Sequence, residues 1–214
     1  MKTTLIQLSL ILFLFGCSDK SRFIQNYQEH NNSLYREIIP SVYEIIVDGG
    51  HGTGWSYGDG YIVTNKHVTD SSKGAESTIL VRDAYGVIAI AEMVGESDKY
   101  DISVVKLQRI QPVDIPLSKG VAIPGDLVYA FGSPNGLDKS MTSGIVSGPD
   151  REEFVLHSAG IGPGSSGGPL VNYNGHLVGM NTMVLNSPFG IDMGFAIKSE
   201  ILEDEIERII VENE

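Results

Sequence analysis

The sequence predicts an all-β domain, a sandwich or barrel, closed by a C-terminal α-helix. Short runs rich in β-branched residues recur from Val42 onward, and Gly, Pro, Asn or Asp interrupts them at intervals of about 8 to 14 residues. Twenty-five glycines and nine prolines are spread over the 214 residues, as many short strands joined by turns require. At the end of the chain the period changes. "KSEILEDEIERIIVENE" sets Ile201, Ile206, Ile209 and Ile210 on one face and acids on the other, an amphipathic helix.

The chain opens with "MKTTLIQLSLILFLFGC", a lysine at position 2 and an apolar run from Leu8 to Phe15 broken by Ser9. The run is short for a bilayer span and has the shape of a secretory signal. Leu14-Phe15-Gly16-Cys17 resembles a bacterial lipobox. That makes residues 1–16 a lipoprotein signal peptide and Cys17 the lipid-bearing first residue of the mature chain, held in the cell envelope. In a diderm, Ser18 after the cysteine directs it to the periplasmic face of the outer membrane by the same resemblance. Residues 17–39 read as a polar tether and a short helix, "LYREII", capped by Ser33 and ended by Pro40. Residues 40–214 form the folded domain.

Within that domain the expected strands are "VYEIIV", "YIVTN", "TILVRD", "GVIAIAEMV", "ISVVKL", "DLVYAFG", "SGIVSG", "FVLHSA", "PLVN", "HLVGMNTMV" and "MGFAI". "YGDGY" and "NYNGH" each hold a two-residue hairpin turn signal. The formal charge of −12 argues against a nucleic-acid partner, because nothing would neutralise a run of phosphates. A single cysteine excludes an intrachain disulfide and any metal site built on two thiolates, and no histidine spacing suggests a metal or cofactor.

Chemistry concentrates in "GPGSSGGPL", residues 162–170, where crowded glycines surround two adjacent serines. A serine nucleophile needs a base, and the base needs a group that fixes its tautomer. Of the five histidines, His30 lies in the expected tether, His176 follows the "NYNG" turn, and neither His51 nor His157 has a neighbour in sequence to fix it. His67 ends the strand pair "GTGWSYGDGYIVTNKHV". In "SDKYDISVVKL", Asp101 opens an apolar strand, where a carboxylate is costly unless paired. Burial of Asp101 against His67 would satisfy it and leave the other imidazole nitrogen free to accept a proton.

Taken in order between about residues 40 and 200, "GTGW…GYIVTNKHV", "SDKYDISVVKL", "TSGIVSG", "GPGSSGGPLVNYNGHLVGMNT" and "MGFAI" resemble the protease domain of the HtrA/Deg family. These are trypsin-like serine endopeptidases of bacterial envelopes and organelles. The resemblance implies a trypsin-like double β-barrel and a triad of His67, Asp101 and Ser166. In the family pattern the serine before Gly-Gly-Pro acts, so Ser166 is the nucleophile and Ser165 is not. The backbone N–H groups of Gly164 and Ser166 form the oxyanion hole, while Gly167 and Gly168 let the strand leave without crowding His67. The chain departs from the family at Gly162-Pro163-Gly164-Ser165, where Asn-Pro-Gly-Asn is usual. No PDZ domain follows the protease-like segment in this sequence.

The same resemblance lays the substrate as an extra strand beside Asn181 to Val184. Thr182, Met183 and Val184 line its pocket with Ile161, and Gly160, six residues before Ser166, forms the floor. With no acid or base in those stretches, cleavage is expected after Val, Ala, Ile or Leu in unfolded or misfolded polypeptides. A trimer, as in the family, would form through the N-terminal segment carrying Phe23, Tyr27 and Tyr35. The alternative is a protease-fold chaperone or binding protein with little turnover.

Overall fold

The computed structural model describes residues 22–48, 50–70, 78–108, 113–133, 139–185 and 192–213. The expected signal peptide and Cys17 lie outside the described residues. Residues 22–38 form helix α1. This corrects the expected tether, in which a helix begins only after Ser33. The polar residues of that stretch mark exposed helix faces: Tyr27, Leu34 and Ile38 recur at helical spacing, and Gln25 Nε2 donates to Glu29 Oε1 at 2.9 Å one turn on. Pro40 ends the helix as expected, in a single 3-10 turn, Ile39–Ser41.

Strands β1 (Val42–Val47), β2 (Gly50–Tyr57), β3 (Tyr61–Thr64), β4 (Ile79–Arg82), β5 (Ile88–Glu96) and β6 (Ser103–Lys106) close a barrel in the order β1-β2-β3-β6-β5-β4. Every pairing is antiparallel, and closure leaves no free edge. Tyr43, Ile45, Val47, Ile62, Val81 and Val105 fill its interior. The "YGDGY" signal makes the β2–β3 turn.

Strands β7 (Leu127–Gly132), β8 (Ser140–Ile145), β9 (Phe154–His157), β10 (Pro169–Asn172), β11 (Leu177–Leu185) and β12 (Met193–Lys198) form a second sheet, ordered β8-β7-β10-β11-β12-β9. A bridge between Val146 and His157 draws its two outer strands together, so the sheet curls toward closure around Val128, Ala130, Val155, Leu170, Val178 and Ala196. The "NYNGH" signal makes the β10–β11 turn. The expected trypsin-like pair of barrels is thus one closed barrel and one half-barrel sheet.

Two helices complete the domain, the one-turn α2 (Lys66–Thr69) and the C-terminal α3 (Ser199–Asn213). Helix α3 buries Leu202, Ile206 and Ile209 and packs against β5 and β6 of the first barrel and β11 and β12 of the second. Among the described residues no helix is long and apolar enough to cross a membrane.

Candidate active site

His67 lies just beyond β3 rather than on it. The strand stops at Thr64, and Lys66-His67 begin α2, a correction to the expected strand end. Val68 is buried in the barrel core, which pins the turn and leaves the His67 side chain 49% exposed. Asn65 precedes the helix without capping it. Its amide instead donates to the Asp101 carbonyl at 2.8 Å and to the Thr182 hydroxyl.

Asp101 lies in the turn between β5 and β6, and His67 engages both of its carboxylate oxygens. Nδ1 of the ring is 2.7 Å from Oδ2, and the His67 backbone N–H donates to Oδ1 at 2.9 Å. The Thr182 hydroxyl adds a longer bond to Oδ2, 3.3 Å. Asp101 is only half-buried, not enclosed as the sequence suggests. The hydrogen bond to Asp101 outweighs desolvation and raises the His67 pKa above the ordinary 6.5. Partial burial pushes Asp101 upward, but its bonds from the His67 ring and backbone and from Thr182 prevail, and its pKa falls below the ordinary carboxylate value.

Ser166 sits in the loop from β9 to β10, in a turn held by the other barrel. The Thr53 backbone N–H donates to the Ser166 carbonyl at 2.8 Å, and the buried Thr53 hydroxyl donates to the Gly164 carbonyl at 2.6 Å. Asn181 clamps the far side, accepting from Gly167 N–H at 2.8 Å and donating to the Gly168 carbonyl at 2.9 Å. Gly164 and Gly167 have φ of +94° and +84°. A Cβ at Gly164 would stand 2.5 Å from the Ser133 carbonyl and 2.6 Å from His51 Nε2, so the His51 ring lies directly over the loop. A Cβ at Gly167 would meet the Thr53 carbonyl and the Thr64 hydroxyl, and one at Gly168 the Phe131 carbonyl. The two glycines thus make room for backbone from the barrels, not for His67 as expected.

The two serines differ. Ser165 is buried, and its hydroxyl accepts the Gly162 N–H at 3.3 Å. Ser166 is half-exposed; among the described residues its hydroxyl bonds nothing, His67 included. The N–H groups of Gly164 and Ser166 likewise donate to no described residue, leaving two donors for an incoming oxygen.

A cleft of about 420 Å³ opens at Ser166, and Ile161, Thr182, Met183 and Val184 line it. Gly160 does not. It is exposed, with its carbonyl tied to the Thr142 hydroxyl at 2.7 Å, so Ile161 takes the place expected of it. Asp192 also lines the cleft, an acid that the reading of the 160 and 181–184 segments missed because it is the residue just before β12. Thr53 and Asn65 were missed too; the only sequence signal for Thr53 is its place between Gly52 and Gly54. A Cβ at Gly52 would meet Val68 and stand 3.2 Å from the Ser166 carbonyl. Among the described residues no group of His, Cys, Asp and Glu is arranged to hold a metal ion.

A family profile described as a trypsin-like peptidase domain matches residues 52–180. The chain is 34% identical over 174 residues to a probable periplasmic serine endoprotease, DegP-like, of Chlamydia trachomatis, an alignment covering 76% of this chain and 34% of that protein. It is 37% identical over 157 residues to the periplasmic serine endoprotease DegP of Escherichia coli, covering 68% of this chain and 32% of that protein. It therefore spans about a third of the length of these relatives. The crystal structure of the serine endoprotease from Yersinia pestis matches with a TM-score of 0.75 at 33% identity, over 84% of this chain and 66% of that one.

Proposed function

Because the chain belongs to the trypsin-like peptidase family, in its HtrA/DegP branch, we propose that it is a serine endopeptidase of the bacterial envelope whose triad is His67, Asp101 and Ser166. The observation that carries this reading is the two-point pairing of His67 with Asp101 beside the cleft on which Ser166 opens. Ser166 Oγ attacks the scissile carbonyl while His67 Nε2 takes its proton, and Asp101 holds Nδ1 as the donor and stabilises the imidazolium. The developing oxyanion meets the N–H groups of Gly164 and Ser166, which donate to no described residue. His67 then delivers the proton to the leaving amine, and water repeats the sequence on the acyl enzyme. The absence of a Ser166–His67 bond is compatible with this, since catalytic hydrogen bonds often close only around substrate.

The substrates are unfolded or misfolded polypeptides, cut after small or medium aliphatic residues that fit between Ile161, Met183 and Val184. Asp192 brings an acid to that cleft and disfavours acidic side chains there. Cys17 carries the lipid that holds the protein in the envelope, and the N-terminal segment with the exposed Phe23 supports a trimer.

Incubation of the mature chain with unfolded casein, beside Ser166→Ala, tests the activity. Wild type should yield fragments and label with a fluorophosphonate, Ser166→Ala should do neither, and Ser165→Ala should keep much of both. Casein held without cleavage and without labelling would make the protein a binding module. The rate should also rise with pH through a midpoint above 6.5, because only neutral His67 accepts a proton and Asp101 favours its charged form. A rate flat between about pH 5 and 8 would remove His67 as the base.

A further inference from the structure

The turn that carries Asp101, residues 97–102, is held from outside the proposed triad. Ser97 is 1% exposed, and its N–H donates to the Ile102 carbonyl at 2.9 Å, closing the turn. Its hydroxyl oxygen accepts the N–H groups of Lys99 at 3.1 Å and Tyr100 at 2.9 Å. The proton of that hydroxyl goes to Glu205 Oε1 on α3, more than a hundred residues away in sequence. Glu205 is itself fixed, for its side chain is 12% exposed and Arg208 donates to it at 2.7 Å and 3.4 Å. The Arg208 bonds hold its carboxyl below the ordinary carboxylate range against partial desolvation.

We propose that Glu205 is a positioning residue: through Ser97 it fixes the 97–102 turn so that Asp101 stays paired with His67. A hydroxyl that accepts two amides and gives its proton to a carboxylate has one rotamer, and the charge-assisted bond is the stronger kind. Helix α3 lies close enough to enforce it. A Cβ at Gly95, two residues before Ser97, would stand 2.8 Å from Asn213 and 3.0 Å from Ile209. The turn is also tied to the base, since Lys66 Nζ, adjacent to His67, donates to the Ser97 carbonyl at 3.0 Å. Charged groups around the link are Lys66 on α2, Glu96 on β5, Lys99 on the turn and Arg208 on α3, with Asp70 and Asp101 beside His67. The C-terminal helix is thereby part of the machinery that sets the basicity of His67.

The proposal rests on the triad reading, and its test is read apart from turnover. The His67 ring is titrated by NMR in the inactive Ser166→Ala protein, with and without Glu205→Ala, and kcat and KM are measured in the active background. Glu205→Ala should lower the His67 pKa toward 6.5 and cut kcat about 10- to 100-fold with KM within about twofold. Glu205→Gln, which keeps an acceptor for Ser97, should restore most of the rate. Ser97→Ala should reproduce the shift, and Ser97→Ala with Glu205→Ala should be no worse than the worse single change. An unchanged His67 titration in folded Glu205→Ala, or additive losses, would overturn the link. If Glu205→Ala does not fold, an unchanged titration in Ser97→Ala overturns it equally. A shifted titration in a protein whose wild type never cleaves would instead defeat the triad reading alone.

Discussion

On the barrel side of the site, His67 and Asp101 share two short hydrogen bonds, and Asn65, Thr182, Lys66 and Ser97 brace the backbone and side chains around them. On the sheet side, the Ser166 backbone is clamped by Thr53 and bracketed by Asn181, yet its hydroxyl and the two neighbouring N–H groups are bonded to no described residue. In the proposed triad, acid and base are assembled in advance, and the nucleophile is aimed but not engaged. The difference follows from what each group must do. A carboxylate half-exposed to water keeps its orientation only if its lone pairs are taken, whereas a nucleophile and an oxyanion hole must keep theirs open for substrate.

The sharpest way to break this contrast is to spoil the assembled half. Asp101→Asn keeps the shape but offers an amide N–H where the ring needs an acceptor, and favours the wrong tautomer. Turnover should fall by about 10⁴-fold with the fold intact, and a near-normal rate would remove Asp101 from the site. On the open half, Gly164→Ala places a methyl against the Ser133 carbonyl and His51 at a φ of +94°, which turns the N–H away from the oxyanion. The expected loss is about 10²- to 10³-fold in kcat with KM nearly unchanged. A loss confined to KM would show that Gly164 shapes binding and not the transition state.

Most of the fold was legible because alternation and turn chemistry are local. The strand runs, the two hairpin signals and the C-terminal helix need only neighbouring residues to be recognised. The one-turn α2 was not, since four residues cannot show a helical period, and α1 was hidden by the polarity of its exposed faces. In the site, His67 and Asp101 could be paired by reasoning about an acid at the head of an apolar strand. Thr53 could not, because its hydroxyl reaches Gly164 across 111 positions and threonine beside glycine is unremarkable locally. Glu205 reads as one acid among several on the polar face of the expected C-terminal helix. Gly160 was placed by counting back from Ser166, and counting does not say which way a backbone turns.

The smallest of these effects concerns the sheet half again, through His157. It lies on β9, just before the Ser166 loop, is fully buried, and among the described residues neither ring nitrogen has a well-formed hydrogen-bond partner. Its ring packs on Gly194 of β12 together with Ile161, so it supports the cleft from beneath. Burial pushes its pKa down to about 4, although the Asn181 side chain and the Ala159 backbone partly oppose the shift. Folded protein therefore keeps His157 neutral to about pH 4, while an unfolded chain protonates it near 6.5. The unfolded state binds more protons between those values, so stability is full above about pH 6.5 and falls as the pH drops toward 4. The loss should reach about 3 kcal/mol, a large part of the ~5–15 kcal/mol typical of a domain. Asp101 and Glu205, whose carboxyls titrate below the ordinary range, add their losses only at lower pH. His67, with its raised folded pKa, gains stability as the pH falls and works against the decline, so the His157 share is read as the difference between wild type and His157→Leu. Urea unfolding followed from pH 7.5 to 4.5 should show the decline in wild type and a flatter curve in His157→Leu. Hydrogen exchange should open β9 and β12 before β1 to β6. Equal slopes for the two proteins would assign the acid sensitivity elsewhere, and earlier opening of the first barrel would reverse the ranking of the two halves.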